Sequence, residues 1–218
     1  MKSLNNIQIL ITAGPTYEPI DPVRFIGNRS SGKMGYAIAE ELANRGAKVV
    51  LVSGPVNIST KNKNIELIKV QTAAEMYTAC HKFFEKCTIA ILAAAVADFT
   101  IKNPASLKIK KAKDQNELRL TLTKTQDILK SLGKIKSKKQ TLVGFALETN
   151  NELQNAKKKL ISKNLDFIVL NSLQDKGAGF AHDTNKITIL DKYNKKFNFE
   201  LKSKVAVAID IANHLKNY

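Results

Sequence analysis

The 218-residue sequence has no tryptophan, only two cysteines and no hydrophobic run of membrane-spanning length. The longest apolar run, Ile89–Ala97, is far below the roughly 20 residues that a transmembrane helix needs. Cys80 and Cys87 form no CxxC pair, and the three histidines have neither HExxH nor paired ligand spacing. A disulfide scaffold is therefore excluded, and no zinc motif is present. The N-terminus shows no secretory hydrophobic region before the first strand-like segment, so we expect a cytoplasmic protein.

Acidic residues are also scarce, since 19 Asp and Glu stand against 35 Lys and Arg, a formal net charge of +16. Such a charge attracts polyanions, among them nucleic acids, anionic membranes and phosphorylated small molecules. Arginine, the side chain that most often reads base edges, is rare, and aromatic residues make up only 6%. The charge leaves a basic nucleic-acid-binding module open as an alternative without favouring it.

Apolar residues make up 44% of the chain, which is ordinary globular usage and excludes extensive disorder. Short apolar runs alternate with segments of helical periodicity. This alternation predicts right-handed βαβ units, and hence a single domain over residues 1–218 with a three-layer α/β/α, Rossmann-like, mostly parallel sheet. Strands are predicted at Ile7–Ala13, Ala47–Ser53, Ile65–Val70, Thr88–Ala95, Thr141–Leu147, Asp166–Asn171, Asn185–Asp191 and Lys196–Leu201, and helices at Lys33–Arg45, Thr72–Lys86, Asp127–Ile135, Asn151–Lys163 and Ser203–Leu215.

The alternation of strands and helices breaks between Phe99 and Thr125. A lysine-rich loop containing Lys108-Ile-Lys-Lys111 precedes the alternating run Glu117–Thr123, which suits an antiparallel strand with one solvent face. We interpret residues 99–125 as an inserted β arm or flap. A basic flap that closes over phosphates is one interpretation of its lysines, and a solvated charge run is the ordinary alternative.

In parallel α/β sheets, ligands bind beyond the carboxyl ends of the strands. After the first predicted strand the chain reaches GNRSSGKMG, which departs from a Walker A loop because Met34 replaces the Mg²⁺-binding hydroxyl, and it is not GxGxxG either. Ser30-Ser31-Gly32 lies at a helix N-terminus, where free N–H groups and the helix dipole favour a phosphate. Asn28 and Arg29 add neighbouring donors, whereas a simple glycine-containing helix start is the plain alternative.

Three later segments extend the candidate site. The small side chains of Ala93–Ala95 let a flat ring approach the backbone, and Asp98 can accept hydrogen bonds from a ribose, although a tight central strand also needs small residues. Lys159 and Lys163 share a helix face, where like charges repel unless an anion lies between them; surface lysine is the alternative. Phe145 either lines a nucleotide pocket or belongs to the core. These residues indicate positioning and charge stabilisation around phosphates.

Together these segments resemble the phosphopantothenate–cysteine ligases, a family that in many bacteria forms the carboxy-terminal half of a bifunctional coenzyme A biosynthesis protein. The resemblance implies a reaction with CTP and Mg²⁺, in which 4′-phosphopantothenate becomes an acyl-cytidylate and L-cysteine then displaces the nucleotide. It also implies a homodimer, fused to or associated with a phosphopantothenoylcysteine decarboxylase domain, and no nucleic acid or membrane partner. The motifs that carry it, in order, are ITAGPTYEPIDPVRFIGNRSSGKMG, AAAVADF, KIKK, VGFALETN and KNLDFIVLN.

The resemblance also implies roles for individual residues. Asn28 matches the asparagine that handles the acyl-nucleotide in the second step, and Lys108 matches the flap lysine, so both are expected to be catalytic. Gln126 stands where the family commonly has proline, but Asp127 is present, which predicts a loosened turn. The metal ligands stay unassigned. The expected nucleotide-binding residues are Gly14, Ser30, Ser31, Gly32, Ala93, Ala94, Asp98, Lys108, Gln126, Asp127, Ile128, Leu129, Phe145, Lys159 and Lys163.

Two other function classes compete with this interpretation. An NAD(P)-binding oxidoreductase fits the alternating strands and helices, but the sequence lacks GxGxxG and a suitably placed proton donor. A basic nucleic-acid-binding module fits the charge, but no recognition motif is present. Tight NAD(P)H binding would favour the first alternative, and salt-dependent submicromolar binding of RNA or DNA would favour the second.

Overall fold

The computed structural model describes residues 4–111, 116–148, 150–172 and 182–215. Residues 112–115 of the predicted arm and Thr149 of the VGFALETN motif lie outside the described residues. The described strands are β1 (Gln8–Ala13), β2 (Tyr17–Pro19), β3 (Phe25–Gly27), β4 (Lys48–Ser53), β5 (Ile65–Lys69), β6 (Ile89–Leu92), β7 (Phe99–Ile101), β8 (Leu122–Lys124), β9 (Thr141–Glu148), β10 (Phe167–Ser172), β11 (Thr184–Asn185), β12 (Ile187–Asp191), β13 (Lys196–Asn198) and β14 (Lys202–Ser203). The described helices are α1 (Lys33–Asn44), α2 (Ala73–Phe84), α3 (Ile128–Ile135), α4 (Glu152–Ser162) and α5 (Lys204–His214).

The central sheet has eight strands in the order β13-β12-β10-β9-β6-β1-β4-β5. The six strands from β10 to β5 are parallel, and β12 and β13 extend the sheet as antiparallel strands beyond β10. The chain moves from β1 outward to β5 and then returns to β6 on the other side of β1. Because the order reverses there, the loops after β1 and β6 diverge and leave a crevice at the carboxyl edge of the sheet. The predicted Rossmann-like fold is confirmed.

Two apolar clusters cover the two faces of the sheet. The first includes Ile38 of α1 and Val207 of α5, and the second includes Met76, Leu132 and Leu160 of α2, α3 and α4. With both faces covered, the parallel strands are apolar along most of their length, as the sequence indicated. Among the described helices, none combines the length and the apolar character needed to cross a membrane.

Both cysteines belong to the second cluster, on the side of α2, α3 and α4. Burial raises the pKa of the Cys80 thiol and of the Cys87 thiol to about 12. Because the thiolate is the nucleophile and the metal ligand, thiols held in the protonated form are poorly reactive. Both cysteines therefore act as packing residues, as the sequence suggested.

Several helix starts follow from local sequence. Thr72 Oγ1 accepts a hydrogen bond from the Glu75 N–H, and the Glu75 side chain accepts one from the Thr72 N–H, so these two residues form a capping box at the start of α2. Asp127 caps α3 and Ser203 caps α5 through their side chains. All five predicted helices exist, with ends displaced by only one or two residues.

Three sequence predictions differ from the structure. The predicted strand Glu117–Thr123 shortens to β8, which pairs with β7; its exposed first residues have no partner strand within the described chain. The strand expected over Thr88–Ala95 ends at Leu92, because the Ala94 N–H bonds to a side chain instead of a neighbouring strand. The ribbon strand expected to reach Leu201 ends at Asn198. The short hairpin of β2 and β3 was not predicted.

Candidate functional site

A cavity of about 620 Å³ opens at the carboxyl edge of the sheet, where the loops after β1 and β6 diverge. Thr12 of β1, Phe145 of β9 and Asn171 of β10 line it together with the chain after β6. Within the described chain its lining does not include Gly14, Asn28 or Lys108. The other expected nucleotide-binding residues all line the cavity: Ser30, Ser31, Gly32, Ala93, Ala94, Asp98, Gln126, Asp127, Ile128, Leu129, Phe145, Lys159 and Lys163.

One wall of the cavity is the small-residue segment that follows β6. The Ala94 N–H donates to Thr12 Oγ1 at 3.1 Å, and the Ala95 N–H donates to the Gly14 carbonyl at 2.8 Å. The Ala97 N–H donates to Thr16 Oγ1 at 2.9 Å. The segment is thus held against the loop after β1, and its alanine side chains leave room for a flat ligand beside the backbone.

Asn28 braces this wall from outside the cavity. Its side-chain Nδ2 donates to the Ala95 carbonyl at 3.0 Å and to the Val96 carbonyl at 3.2 Å. Both carbonyl-bearing residues line the cavity. The structure therefore brings Asn28 to the rim of the predicted site, close to where a ligand beside Ala95 would lie.

Gly14 and Gly32 lie close to each other beside the start of α1. Both have a φ of 76°, in the left-handed region that favours glycine. A Cβ on either would approach Val56 Cγ1 to 2.9 Å, so the site requires glycine for space as well. Gly32 caps α1 without a side chain, and no acidic residue lies in the first turn of Lys33–Asn44. The helix N-terminus beside Ser30 and Ser31 is therefore suited to an anion.

The opposite part of the cavity is built by α3 and α4. Asp127 accepts a hydrogen bond from the Lys130 N–H at 2.9 Å and pairs with Lys163 Nζ at 2.8 Å. Burial opposes ionisation of Asp127, but the Lys163 hydrogen bond and the Lys130 N–H hold its carboxyl pKa below the ordinary value. Lys159 Nζ donates to the Phe145 carbonyl at 2.8 Å, and burial lowers the pKa of Lys159. These contacts hold Asp127, the residue after Gln126, between α3 and α4.

Lys108 is exposed and lies within the arm, outside the cavity lining. The next residue, Ile109, is fastened to the loop after β2: its N–H donates to Asp21 Oδ2 at 3.0 Å, and Arg24 Nη2 donates to its carbonyl at 2.8 Å. Arg24 also pairs with Asp21 and holds the pKa of the Asp21 carboxyl well below its usual range. The arm is therefore anchored to the turn between β2 and β3, the hairpin that precedes Asn28.

Sequence reasoning missed six polar residues that line the cavity: Lys124 and Thr125 at the end of the arm, and four more. Thr12 was treated only as part of a strand, although its hydroxyl accepts from Ala94. The other three come from distant segments: Asn171, Asn185 and Lys204. A lysine at the start of an ordinary helix cannot be identified from the sequence as a binding residue, because only the fold brings Lys204 to the sheet edge. Lys33 was named only as part of the GNRSSGKMG motif, and it also lines the cavity.

Comparisons with known proteins agree with this geometry. Residues 4–218 match the family described as the DNA/pantothenate metabolism flavoprotein C-terminal domain. The crystal structure of the C-terminal domain of a coenzyme A biosynthesis bifunctional protein CoaBC superposes with a TM-score of 0.82 at 40% identity, covering 99% of this chain and 96% of that chain.

Two longer relatives match nearly the whole chain. The coenzyme A biosynthesis bifunctional protein CoaBC of Bacillus subtilis is 46% identical over 212 residues, which are 97% of this chain and 52% of that protein. A cysteine/cysteine sulfinic acid decarboxylase from an unknown prokaryotic organism is 55% identical over 210 residues, 96% of this chain and 58% of that protein. The chain therefore spans little more than half the length of these relatives.

Proposed function

Since the chain belongs to the family of the DNA/pantothenate metabolism flavoprotein C-terminal domain, we propose that it joins 4′-phosphopantothenate to L-cysteine through an acyl-cytidylate formed from CTP. The observation that carries the proposal is the cavity at the β1/β6 crevice. There the start of α1, which has no side-chain cap, lies beside the Ala93–Asp98 segment, and Asn28 contacts that segment at the rim. The 40% identical crystal structure is of a C-terminal domain alone, and this chain covers almost all of it, which supports ligase chemistry over the decarboxylase name of the longer relative.

In the first step, a carboxylate oxygen of 4′-phosphopantothenate attacks the α-phosphorus of CTP. The bond from that phosphorus to the oxygen that bridges to the β-phosphate breaks, and pyrophosphate leaves with the electron pair. Negative charge accumulates on phosphate oxygens during this step. N–H groups at the start of α1 would stabilise it without reorganising, which is the main way a protein accelerates such a transfer. We propose that Lys108 adds positive charge when the arm covers the cavity.

In the second step, the amine nitrogen of cysteine attacks the acyl carbon. A C–N bond forms, the C–O bond to the nucleotide breaks, CMP leaves with the electron pair, and the amine loses a proton. Asn28 lies beside the Ala95 and Val96 carbonyls, so its amide is placed to orient the acyl group. Holding two bound groups in the geometry in which they react lowers the activation barrier substantially.

Mg²⁺ accompanies CTP in this proposal. In the part of the chain that the structure describes, no group of three or more His, Cys, Asp or Glu side chains could hold a metal. Asp98 and Asp127 nevertheless line the cavity. Mg²⁺ is commonly bound by substrate phosphates and water with only one or two carboxylates, so this sparse set fits it. When bound, the ion would offset part of the triphosphate charge.

We further propose that residues 1–218 form one ligase domain, that it works as a homodimer, and that it is fused to or associated with a decarboxylase domain. The long relatives extend well beyond the matched region, which supports the fusion. Exposed apolar side chains on the arm support the dimer, because an unpaired edge of this kind invites a second chain. These side chains are Leu118, Leu120 and Leu122.

The deciding experiment is pyrophosphate release with Mg²⁺, 4′-phosphopantothenate and cysteine, run with CTP and ATP in parallel. We expect release with CTP that depends on the pantothenate substrate, and an amide product that also needs cysteine. Preference for ATP would contradict only the assignment of CTP as the nucleotide, and the ligase reaction itself would still be supported. Absence of release with either nucleotide, from folded protein, would contradict the ligase; titration with NADPH and with salt-varied RNA then tests the two alternatives.

A further inference from the structure

The chain leaves the sheet after β6, before it reaches Asp98. β6 pairs with β1 and with β9 only as far as Leu92, so the regular strand ladder ends there. Residues 93–96 and Asp98 nevertheless line the cavity. Because buried backbone N–H and C=O groups need partners, other parts of the chain must bind the backbone of this wall and hold it in place.

Two buried threonine hydroxyls supply partners for the wall. Thr12 Oγ1 accepts from the Ala94 N–H at 3.1 Å, and Thr16 Oγ1 accepts from the Ala97 N–H at 2.9 Å. Thr12 is 1% exposed and Thr16 is fully buried. A buried hydroxyl is costly unless it is hydrogen-bonded, so each of these contacts stabilises the threonine as well as the wall.

Ala97 is held from both sides. Its N–H donates to Thr16, and its carbonyl accepts from the Thr125 hydroxyl at 2.7 Å. The Thr125 N–H donates to the carbonyl of the next residue, Asp98, at 3.0 Å. Two threonines thus bind three consecutive peptide groups. The backbone torsions of Ala97 and Asp98 lie between these peptide groups and are therefore closely restricted.

Thr125 lies at the neck of the arm. β7 begins at Phe99, directly after Asp98, and β8 ends at Lys124, directly before Thr125; the two strands pair with each other. Asp98 and Thr125 are therefore the residues from which the arm projects. The backbone of Asp98 is supported by the loop after β1 through Thr16, and by the arm through Thr125.

The Asp98 side chain is exposed and lines the cavity, whereas Thr16 lies outside the lining. Burial lowers the pKa of Lys159, which also lines the cavity, and the Asp98 carboxylate is one of the charges that oppose this shift. The two charged groups are therefore close enough to interact. An ionised carboxylate only accepts hydrogen bonds, so the hydroxyl groups of a ribose are suitable donors to it.

We propose that Thr16 and Thr125 are positioning residues, which fix the backbone at Ala97 and Asp98 so that the Asp98 carboxylate accepts hydrogen bonds from the ribose of the nucleotide. The inference rests on the proposed function, because it takes the nucleotide of that reaction as the ligand. A hydrogen bond to a carboxylate is strong only at short distance and good angle. The preference for ribose over deoxyribose therefore depends on two hydroxyl groups that act through the backbone.

The test measures kcat/KM for pyrophosphate release with CTP, 2′-deoxy-CTP and 3′-deoxy-CTP, at saturating 4′-phosphopantothenate and Mg²⁺. We expect the parent chain to prefer CTP over at least one analogue by about 10-fold or more, because that analogue leaves the carboxylate without a donor. Thr16→Val and Thr125→Val each remove one hydroxyl and should reduce the preference to about 3-fold or less. The change should appear mainly as a higher KM for CTP.

Three further comparisons isolate the hydroxyl groups. Thr16→Ser and Thr125→Ser keep them and should restore the preference for CTP. Thr78→Val is the matched control, since Thr78 Oγ1 donates to the Ala74 carbonyl on α2, outside the cavity lining, and all three kcat/KM values should stay unchanged. In an Asp98→Ala background the preference should already be lost, and neither valine variant should change it further.

Equal losses of kcat/KM with CTP and with both analogues in the valine variants would overturn the inference, because a merely structural role affects all three nucleotides alike. It would also be overturned by an Asp98→Ala variant that keeps the parent's preference, or that loses activity with all three nucleotides equally, as loss of a metal ligand would cause. Thermal unfolding identifies misfolded variants. Should Thr16→Val unfold, Thr125→Val decides, since Thr125 is only half-buried.

The same data distinguish this inference from the proposed function. A parent chain that releases pyrophosphate equally well with CTP and with both analogues would reject the role of the two threonines and leave the ligase proposal intact. A folded parent chain that releases no pyrophosphate with any of the three nucleotides would reject both.

Discussion

At the scale of single residues, a substitution of Asn28 should separate the two half-reactions. Its Nδ2 donates to two carbonyls of the cavity wall, and a carboxylate in its place would lose both bonds and repel both oxygens. We expect Asn28→Asp to release about one equivalent of pyrophosphate per site and then stall, because orientation of the acyl group matters most in the second step. A quench experiment with labelled CTP should show the acyl-cytidylate accumulating. Asn57→Asp, at an exposed position, serves as control; normal full turnover by Asn28→Asp would reject the role.

Lys108 tests whether the arm takes part in the chemistry. The side chain is exposed, so Lys108→Gln should leave the unfolding temperature unchanged. If the arm covers the cavity during turnover, loss of this charge should reduce kcat by about 100-fold, the usual effect of removing one stabilising group from a transition state. Steady-state kinetics and circular dichroism check both expectations. Lys102→Gln, also on the arm and exposed, is the matched control, and an unchanged kcat for Lys108→Gln would contradict the flap interpretation.

At the scale of elements, the buried side chain of Asp166 connects three segments of the chain to the start of β10. Its Oδ2 accepts from the Leu142 N–H and from Lys136 Nζ, both at 2.8 Å, and its Oδ1 accepts from Lys192 Nζ at 2.9 Å. Burial opposes ionisation of this carboxyl, but the Lys136 bond and the other donors lower its pKa. The carboxylate thus ties β9, the residues after α3 and the turn after β12 to the start of β10.

We expect Asp166→Asn to lower the free energy of unfolding by about 2–4 kcal/mol at pH 7, because the largely buried Lys136 ammonium loses its counter-charge and the buried Leu142 N–H loses a charged acceptor. The pKa is lower in the folded state, so the contribution is complete above the unfolded value near 3.9 and is lost as the pH falls through the folded value. The difference between parent and variant should therefore shrink below about pH 4. Urea unfolding at several pH values measures this difference. Asp210→Asn, which breaks the partly exposed pair with Lys202, should change stability by less than about 1 kcal/mol.

The elements also show what local sequence can and cannot predict. Helices with side-chain caps, such as Thr72, Asp127 and Ser203, were found because the capping residue and the apolar spacing lie within one segment. The hairpin of β2 and β3 was missed because three prolines obscure its short strands. The run Glu117–Thr123 alternates like a strand, yet most of it has no partner strand within the described chain, since pairing depends on what lies beside it.

The same distinction applies to the candidate site. Residues within GNRSSGKMG and AAAVADF could be assigned from sequence because the fold class alone places strand ends at one edge. Asn171, Asn185 and Lys204 could not, since they reach the cavity through β10, β11 and α5, which are far apart along the chain. Only the packing of α1 on α5 brings Lys204 beside Lys33.

At the scale of the whole molecule, the arm exposes several large apolar side chains close together in sequence. Leu118, Leu120 and Leu122 are all exposed, and so is Phe25 of the hairpin that precedes α1. Scattered exposed apolar residues need no explanation, but several on one projecting segment indicate a contact with another chain. In the proposed homodimer this segment lies at the interface, near the loop that Asp21 and Arg24 fasten to the arm.

We therefore expect the double variant Leu118→Asp/Leu120→Asp to be monomeric in light scattering after size exclusion, with an unchanged circular dichroism spectrum. Charge at the centre of an apolar interface removes its hydrophobic gain and adds desolvation. Because the arm carries Lys108, loss of the partner should also reduce kcat, by at least about 10-fold if the second chain orders the arm. Ile161→Asp, exposed on α4 away from the arm, should remain dimeric and active. A parent chain that is monomeric at micromolar concentration, yet fully active, would show instead that the arm folds back on its own chain.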